Sequence, residues 1–372
     1  MKWAVLPVLA VAAASCATGA GVTEVTGPAG EAAPGATTAG AVDTATSTPS
    51  TTPTTTTTST TTTSTPSSTT TSPTTTSVPA LAEAGPLVVD DEGVPVNGQT
   101  RGVVVHPDGW LLPVLGTAGD AWSVWTPCGR QAVVERGTYL SHVDVVVDPG
   151  HGGDREPGAV GPGGTRESDL NLAVARRLVD RLRVRGYEAV VTRPGDVRLP
   201  IVTRAEIALA LRPAANISIH FNAGIDAPHA GPGTETYHQL DDPGSRRLAG
   251  LVQEGLTEAL GGLDGVRWVG MSDAGAMARP DREGRDYYGV LRRPAGVTSI
   301  LVEVGYLTNP GEEALFGRPE TQELVAATLA DAVDTWITDP TAAGSGFTDD
   351  PIFRGYGPSG AGGVDRCEDP PL

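Results

Sequence analysis

The chain has 372 residues and a formal net charge of −18, with 26 Lys and Arg against 44 Asp and Glu. This length allows two or three domains, but a long Thr-, Ser- and Pro-rich segment cannot contribute to any hydrophobic core. The acidic residues are spread along the chain, which argues against nucleic acid as a partner and against electrostatic attraction to an anionic surface.

Residues 1–20 have the pattern of an export signal. Lys2 precedes an apolar run from Trp3 to Ala14 that is too short to span a bilayer, and small residues follow before Cys16. The segment resembles a bacterial lipoprotein signal, in which Cys16 becomes the lipid-carrying first residue, and the alternative is an ordinary secretory signal cleaved near residues 17–20. We expect an exported, lipid-anchored chain at the outer face of the cytoplasmic membrane or in the cell envelope or periplasm.

Residues 21–85 are predicted to be a disordered linker, because Thr, Ser and Pro bury too little apolar surface to offset the entropy of ordering. Beyond the signal, the sequence contains Cys128 and Cys367, which form a single disulfide or remain two free thiols. Pairing cannot be deduced from the sequence.

Residues 86–141 are predicted to form a small all-β domain, SH3-like in type. Short apolar runs separated by Gly, Pro and Asp indicate several short strands, at residues 86–89, 102–105, 110–115, 122–125 and 131–134. Trp110, Trp122 and Trp125 belong to the core of such a small domain or, less often, to a ligand-binding face.

Strands and helices alternate over residues 143–338, which predicts an α/β domain with a mostly parallel twisted sheet and helices on both faces. Ser168 or Asp169 is expected to cap the first helix and Gly186 to end it. The predicted helices cover residues 169–182, 201–211, 246–260 and 320–336, and the predicted strands cover 145–147, 187–192, 216–220 and 299–304. The tail over 339–372 is rich in Gly and Pro and is predicted to be irregular.

Three polar residues lie at or near the ends of apolar strands in this region: His151, His220 and Glu303. Glu167 directly precedes the first helix. In open α/β sheets the carboxyl ends of the strands are where ligands bind. Two imidazoles and one carboxylate leave a fourth tetrahedral position open, as in catalytic zinc sites, and a further carboxylate can then move the proton of the attacking water.

Other histidines are weaker candidates. His106 and His142 precede the α/β region and are interpreted as surface or structural residues. His229 and His238 lie in a Gly- and Pro-rich stretch after His220. Each is either a rival metal ligand or, more commonly, a solvated loop histidine.

These residues fall within motifs that closely resemble the zinc-dependent N-acetylmuramoyl-L-alanine amidases of the type 3 group. The resemblance covers roughly residues 144–338. It rests on several ordered motifs, which are residues 147–153, 167–172, 192–193, 204–205, 218–223 and 301–309. It implies a zinc amidase fold of the phosphorylase/hydrolase type, Zn²⁺ held by His151, Glu167 and His220, and Glu303 as the catalytic carboxylate.

The implied reaction is hydrolysis of the amide between N-acetylmuramic acid and L-alanine in peptidoglycan, for wall remodelling or cell separation. Asn222 is expected either to hydrogen-bond the substrate or to satisfy its own backbone in a turn. The stretch 261–293 looks longer than in compact relatives and is either a loop along the substrate groove or an autoinhibitory cover that a protein activator removes. Two alternatives stay open, a catalytically inactive wall-binding or activator protein and a zinc peptidase of the stem peptide.

Overall fold

The structure is a computed structural model that describes residues 81–224, 227–270, 275–342, 344, 364 and 366–372. The predicted signal with Cys16 and residues 21–80 of the predicted linker lie outside the described residues. The described residues belong to one unit, Thr74–Leu372. None of the helices in this part of the chain has both the length and the apolar character that a membrane crossing requires.

Five short antiparallel strands form a first sheet, here called the N-terminal sheet. They are β1 (Val103–Val105), β2 (Leu111–Ala118), β3 (Ala121–Trp125), β4 (Gln131–Val134) and β5 (Thr138–Leu140), in the spatial order β4-β3-β2-β1-β5. Trp110 and Trp125 are buried, so these two belong to the core and not to a ligand face. Residues 86–89 were expected to form a strand, but only Val89 pairs there, in an isolated bridge.

A six-stranded sheet, here called the central sheet, confirms the mostly parallel α/β prediction. Its strands are β6 (Val145–Pro149), β7 (Ala189–Val191), β8 (Ala215–Asn222), β9 (Glu235–His238), β10 (Ala276–Met277) and β11 (Ser299–Tyr306), in the order β10-β9-β11-β8-β6-β7. Only the β9–β11 pair is antiparallel within this sheet of described strands.

Helices cover both faces of the central sheet. They are α1 (Glu167–Val184), α2 (Ile201–Leu211), α3 (Pro243–Gly261), α4 (Gly289–Arg292), α5 (Pro310–Phe316) and α6 (Pro319–Thr338). Side chains alternate along β6, so Val145 and Val147 belong to the apolar cluster that includes residues of α1, α3 and α6, whereas Val146 belongs to the cluster of α2 on the other face. Full burial of each valine contributes about 1.5–3 kcal/mol.

The helix α2 packs against both sheets. Ile207, Ala210 and Leu211 share one apolar cluster with Val103 and Leu111 of the N-terminal sheet and with Val146 of the central sheet. On the same helix the fully buried carboxylate of Glu206 accepts backbone N–H groups from residues 98–100. The N-terminal sheet is therefore fixed to α2 by apolar packing and by a buried, charge-assisted set of hydrogen bonds.

The end of the chain is attached to the N-terminal sheet by a disulfide between Cys128 and Cys367. Asp369 reinforces this attachment, since its carboxylate accepts from the backbone N–H of Cys128 at 2.7 Å and from Arg130 at 2.8 Å. The sequence allowed either a disulfide or two free thiols at these positions, and the structure contains the disulfide. At the other end, Ala84 donates its N–H to Thr117 of β2, so the last residues of the predicted linker run beside this strand.

The first helix begins earlier than predicted and is capped differently. It starts at Glu167 after the N-cap residue Arg166, which makes no side-chain cap, so the prediction of a cap by Ser168 or Asp169 is wrong. Loop carbonyls replace the cap: Ala159 accepts from the N–H of Glu167 at 2.8 Å and Pro157 from that of Ser168 at 3.0 Å. Elsewhere, α2 has the predicted bounds, 201–211.

Candidate active site

His151 lies in a left-handed backbone conformation just after β6, with φ of 57°. Such a conformation is uncommon for a residue other than glycine and is sustained by the surrounding structure. The preceding Gly150 has no room for a side chain, because an added Cβ would lie 2.2 Å from the ring of His220. The turn therefore brings two imidazoles together, and the His151 side chain keeps 35% of its surface exposed to solvent.

Glu167, at the start of α1, places its carboxylate between these imidazoles. Its Oε1 lies 2.9 Å from Nδ1 of His220 and 3.4 Å from Nε2 of His151. The carboxylate also accepts the backbone N–H groups of Phe221 at 3.1 Å and Ala159 at 2.7 Å. Since Glu167 is only 3% exposed, this network holds its oxygens in place.

The ligand atoms of His151, Glu167 and His220 all lie within 4.8 Å of one another. Two imidazole nitrogens and one carboxylate oxygen on a converging, partly open site form a donor set that suits zinc. The structure thus brings together the three residues that the sequence proposed as metal ligands.

The other histidines that were considered have different partners. His106 is buried beside Asp108, and Nδ1 of His142 lies 3.1 Å from a backbone carbonyl of α2. Nδ1 of His229 and of His238 each contact a backbone carbonyl, at 2.7 Å and 2.8 Å. Neither of the two rivals joins the cluster formed by described residues around His151.

The protonation states of the cluster suit ligation. Burial raises the pKa of the Glu167 carboxyl, but hydrogen bonds and charges from His151 and His220 outweigh burial and hold that pKa well below its usual value. Burial also lowers the pKa of the His220 imidazole, more than the nearby Glu167 raises it. At neutral pH the site therefore presents a carboxylate and a neutral His220 imidazole, which are the forms that bind a metal ion.

A buried ion pair supports the His151 turn from beneath. Arg204 of α2 donates to Oδ1 of Asp148 at 2.6 Å and to the carbonyl of His151 at 2.6 Å. Thr192 and Ser218 donate to the same carboxylate, at 2.6 Å and 2.9 Å. Burial raises the pKa of Asp148, and the charge and hydrogen bonds of Arg204, with those of Thr192 and Ser218, bring it below its usual value.

A second buried guanidinium, that of Arg193, donates to the carbonyls of Pro149 at 2.9 Å and Ser168 at 2.7 Å. It therefore ties the end of β6 to the start of α1, which carries Glu167. The sequence motifs include Arg193 and Arg204, but the sequence alone assigned them no role. The available signal was Arg204 and Glu206 in the otherwise apolar α2, because charged residues in a buried helix require partners.

Glu303 lies on β11 directly opposite His220 on β8. It is half-buried and lines a cavity of about 300 Å³ that His151 and His220 also line. Tyr288 forms part of the same wall, and burial, with the charge of Glu303, raises its pKa to about 12. Glu303 lies outside the converging ligand set, which fits its proposed role as a proton carrier and not as a ligand.

Asn222 ends β8 two residues after His220. Its Nδ2 is buried and has no hydrogen-bond partner among the described residues. The Nδ2 group therefore does not satisfy a turn within this part of the chain, and hydrogen bonding by Asn222 to a substrate stays a prediction.

The described parts of the stretch 261–293 contribute a wall to the site. They contain β10, a turn closed by contacts between Asp281 and Arg285, and the single-turn helix α4. Tyr287, Tyr288 and Gly289 line the cavity beside His151. Both interpretations of this stretch, a loop along the substrate groove and an autoinhibitory cover, stay predictions.

Comparison with known proteins places the central sheet in a family. Residues 145–335, just over half of the chain, match the family model described as N-acetylmuramoyl-L-alanine amidase. The sequence is 32% identical over 212 residues to the uncharacterised protein YqiI of Bacillus subtilis (strain 168), covering 56% of this chain and 90% of that protein.

Two named amidases are also similar. The sequence is 29% identical over 222 residues to the N-acetylmuramoyl-L-alanine amidase AmiC of Neisseria meningitidis serogroup B, covering 52% of each protein. The solved structure of the amidase AmiC2 of Nostoc punctiforme is 30% identical, with a TM-score of 0.43, and the match covers 52% of this chain and 96% of that one. With the family model matched over its residues 145–335, this chain belongs to the N-acetylmuramoyl-L-alanine amidase family.

Proposed function

We propose that the chain hydrolyses the amide bond between the lactyl group of N-acetylmuramic acid and the L-alanine that begins the stem peptide of peptidoglycan. The observation that carries this proposal is the convergence of His151, Glu167 and His220 at a cavity that Glu303 also lines. Membership of the amidase family supports the reaction and the substrate class.

His151, Glu167 and His220 would hold a zinc ion, because their donor set leaves one tetrahedral position open and their ligand atoms converge. When bound, zinc acts as a Lewis acid that polarises the scissile carbonyl and makes water acidic enough to lose a proton near neutral pH. The Asp148–Arg204 pair holds the backbone of His151 in the orientation that this ligand set needs.

Glu303 moves the proton in this reaction. Its carboxylate accepts a proton from the attacking water and delivers it to the nitrogen of the departing L-alanine, so that the C–N bond breaks and a free amine leaves. The half-buried position of Glu303 opposite His220 supports this role. Asn222, whose Nδ2 has no partner among the described residues, donates a hydrogen bond to the substrate.

The chain acts outside the cytoplasm, anchored by a lipid on Cys16. The pattern of the first twenty residues supports this location. The Cys128–Cys367 disulfide supports it independently, since disulfides persist mainly in oxidising compartments. A protein activator stays a prediction.

The test is digestion of purified peptidoglycan by the full chain supplied with zinc, with products identified by mass. Release of intact stem peptides that begin with a free L-alanine amine is the expected result. Shortened peptides would indicate a stem-peptide peptidase instead, and binding without any release would indicate a wall-binding protein. Glu303→Gln should lower the rate of release by a factor of about 10²–10⁴, whereas Glu320→Gln, at an exposed position on α6, is the matched control.

A further inference from the structure

A cavity of about 530 Å³ also reaches His151 and His220. A volume of this size accommodates a ligand of many atoms, so it can hold substrate groups on either side of the scissile amide. Part of its wall is the loop that follows His151, which contributes Arg155 and Glu156. The charges on this wall therefore bear on which substrates fit.

Most charged groups along this wall are paired with one another. Arg204 is bound to Asp148 at 2.6 Å, and Arg198 lies 3.0 Å from Glu156. Arg155 differs, because it is exposed and makes no ion pair or hydrogen bond with the described residues. The neighbouring Asp154 makes no ion pair with Arg155, and its carboxylate lies 3.9 Å from the guanidinium of Arg166. In a chain of net charge −18, the cavity thus has one cationic group without a counterion among the described residues.

We propose that Arg155 binds a carboxylate of the stem peptide and selects substrates whose second residue keeps a free α-carboxylate. This inference rests on the function proposed above. The residue after L-alanine in a stem peptide is a glutamate linked through its side chain, so its α-carboxyl group is either free or amidated. That group lies about two residues, or about 7 Å, from the scissile amide. A guanidinium binds a carboxylate through two parallel hydrogen bonds and lacks an acceptor for a carboxamide N–H.

The test compares two muropeptides that differ only in a carboxylate or a carboxamide at this position. For the full chain with zinc, kcat/KM should be about ten-fold higher for the carboxylate form, mainly through KM, and this preference should fall as salt is added. Arg155→Gln should lower kcat/KM for the carboxylate form about ten-fold and leave the carboxamide form unchanged. Arg136→Gln, an exposed arginine near the N-terminal sheet that does not line this cavity, is the control and should change neither value.

A second readout does not need turnover. The affinity of the metal-depleted full chain for each muropeptide, measured by calorimetry, should show the same preference and lose it in Arg155→Gln. If Arg155→Gln changes kcat/KM equally for both muropeptides, so that the ratio of the two values is unchanged, the proposal is overturned while the amidase function stays intact. Failure of the wild-type chain to release an L-alanine amine from either muropeptide would instead overturn the amidase function, and this proposal with it.

Discussion

Replacing Arg204 with methionine removes the guanidinium from Asp148 while keeping much of the side-chain volume. Asp148 is only 2% exposed, so its charge would stay buried with no cation bound to it. Removing one partner of a buried ion pair costs about 3–5 kcal/mol. The carbonyls of His151 and Leu199 lose a donor as well. We therefore expect the free energy of unfolding to fall by about 4 kcal/mol at pH 7.

Denaturant unfolding of the full chain measures this loss. The control is Arg185→Met, because Arg185 pairs with Asp331, which is 72% exposed, and such surface pairs contribute less than about 1 kcal/mol. Zinc affinity, measured by calorimetry, should also fall in Arg204→Met, since the backbone of His151 loses its anchor. Arg185→Met should bind zinc as the wild type does.

The pH dependence gives a second check. In the wild-type chain the pKa of Asp148 is lowered, so its contribution to stability is complete above the unfolded pKa of 3.8 and is lost as pH falls through the folded pKa. In Arg204→Met, burial raises the pKa of Asp148. As pH falls toward that raised pKa, Asp148 takes up a proton, and the variant no longer carries an unpaired buried charge. The difference between wild type and variant should therefore narrow from pH 7 to about pH 4. A difference that does not change with pH, or one below about 1 kcal/mol at pH 7, would refute the reasoning.

Three further predictions concern the site and the disulfide. Glu303→Gln should bind zinc normally while kcat falls by a factor of about 10²–10⁴, and unchanged turnover would remove Glu303 from the mechanism. His151→Ala and His220→Ala should each lose bound zinc in elemental analysis, and stoichiometric zinc in both would contradict the ligand set. Replacing Cys128 and Cys367 with serine should lower the free energy of unfolding by about 2–5 kcal/mol, whereas two reactive thiols in the oxidised wild-type chain would disprove the pairing.

The positions of the site residues could be predicted because they follow local patterns. Val145–Val147 end in a Gly-rich turn, and β8 and β11 are apolar runs that contain His220 and Glu303. The carboxyl ends of parallel strands lie at one edge of a sheet, so the proximity of these side chains could be predicted from the sequence. The bounds of α2 were predictable for a similar reason, since its apolar run directly follows a proline.

Features that depend on long-range contacts could not be predicted. The strand β9 contains Glu235 and His238, which resemble a loop in sequence, but Glu235 is buried because Tyr237 and Tyr306 donate their hydroxyls to it at 2.8 Å and 2.9 Å. The predicted cap of α1 was wrong because carbonyls of the preceding loop replaced it. Such partners are set by the tertiary fold, and no local spacing reveals them.

The position of α2 between the two sheets affects whether the amidase region can be separated from the rest of the chain. The family match begins at residue 145, but the fold does not divide there. A chain cut at that point would expose the apolar face of α2 that Val103 and Leu111 cover. It would also leave the carboxylate of Glu206 without the N–H donors of residues 98–100. We therefore expect the amidase region of this chain to lose stability when it is separated from the N-terminal sheet, so a transferred region should keep this sheet.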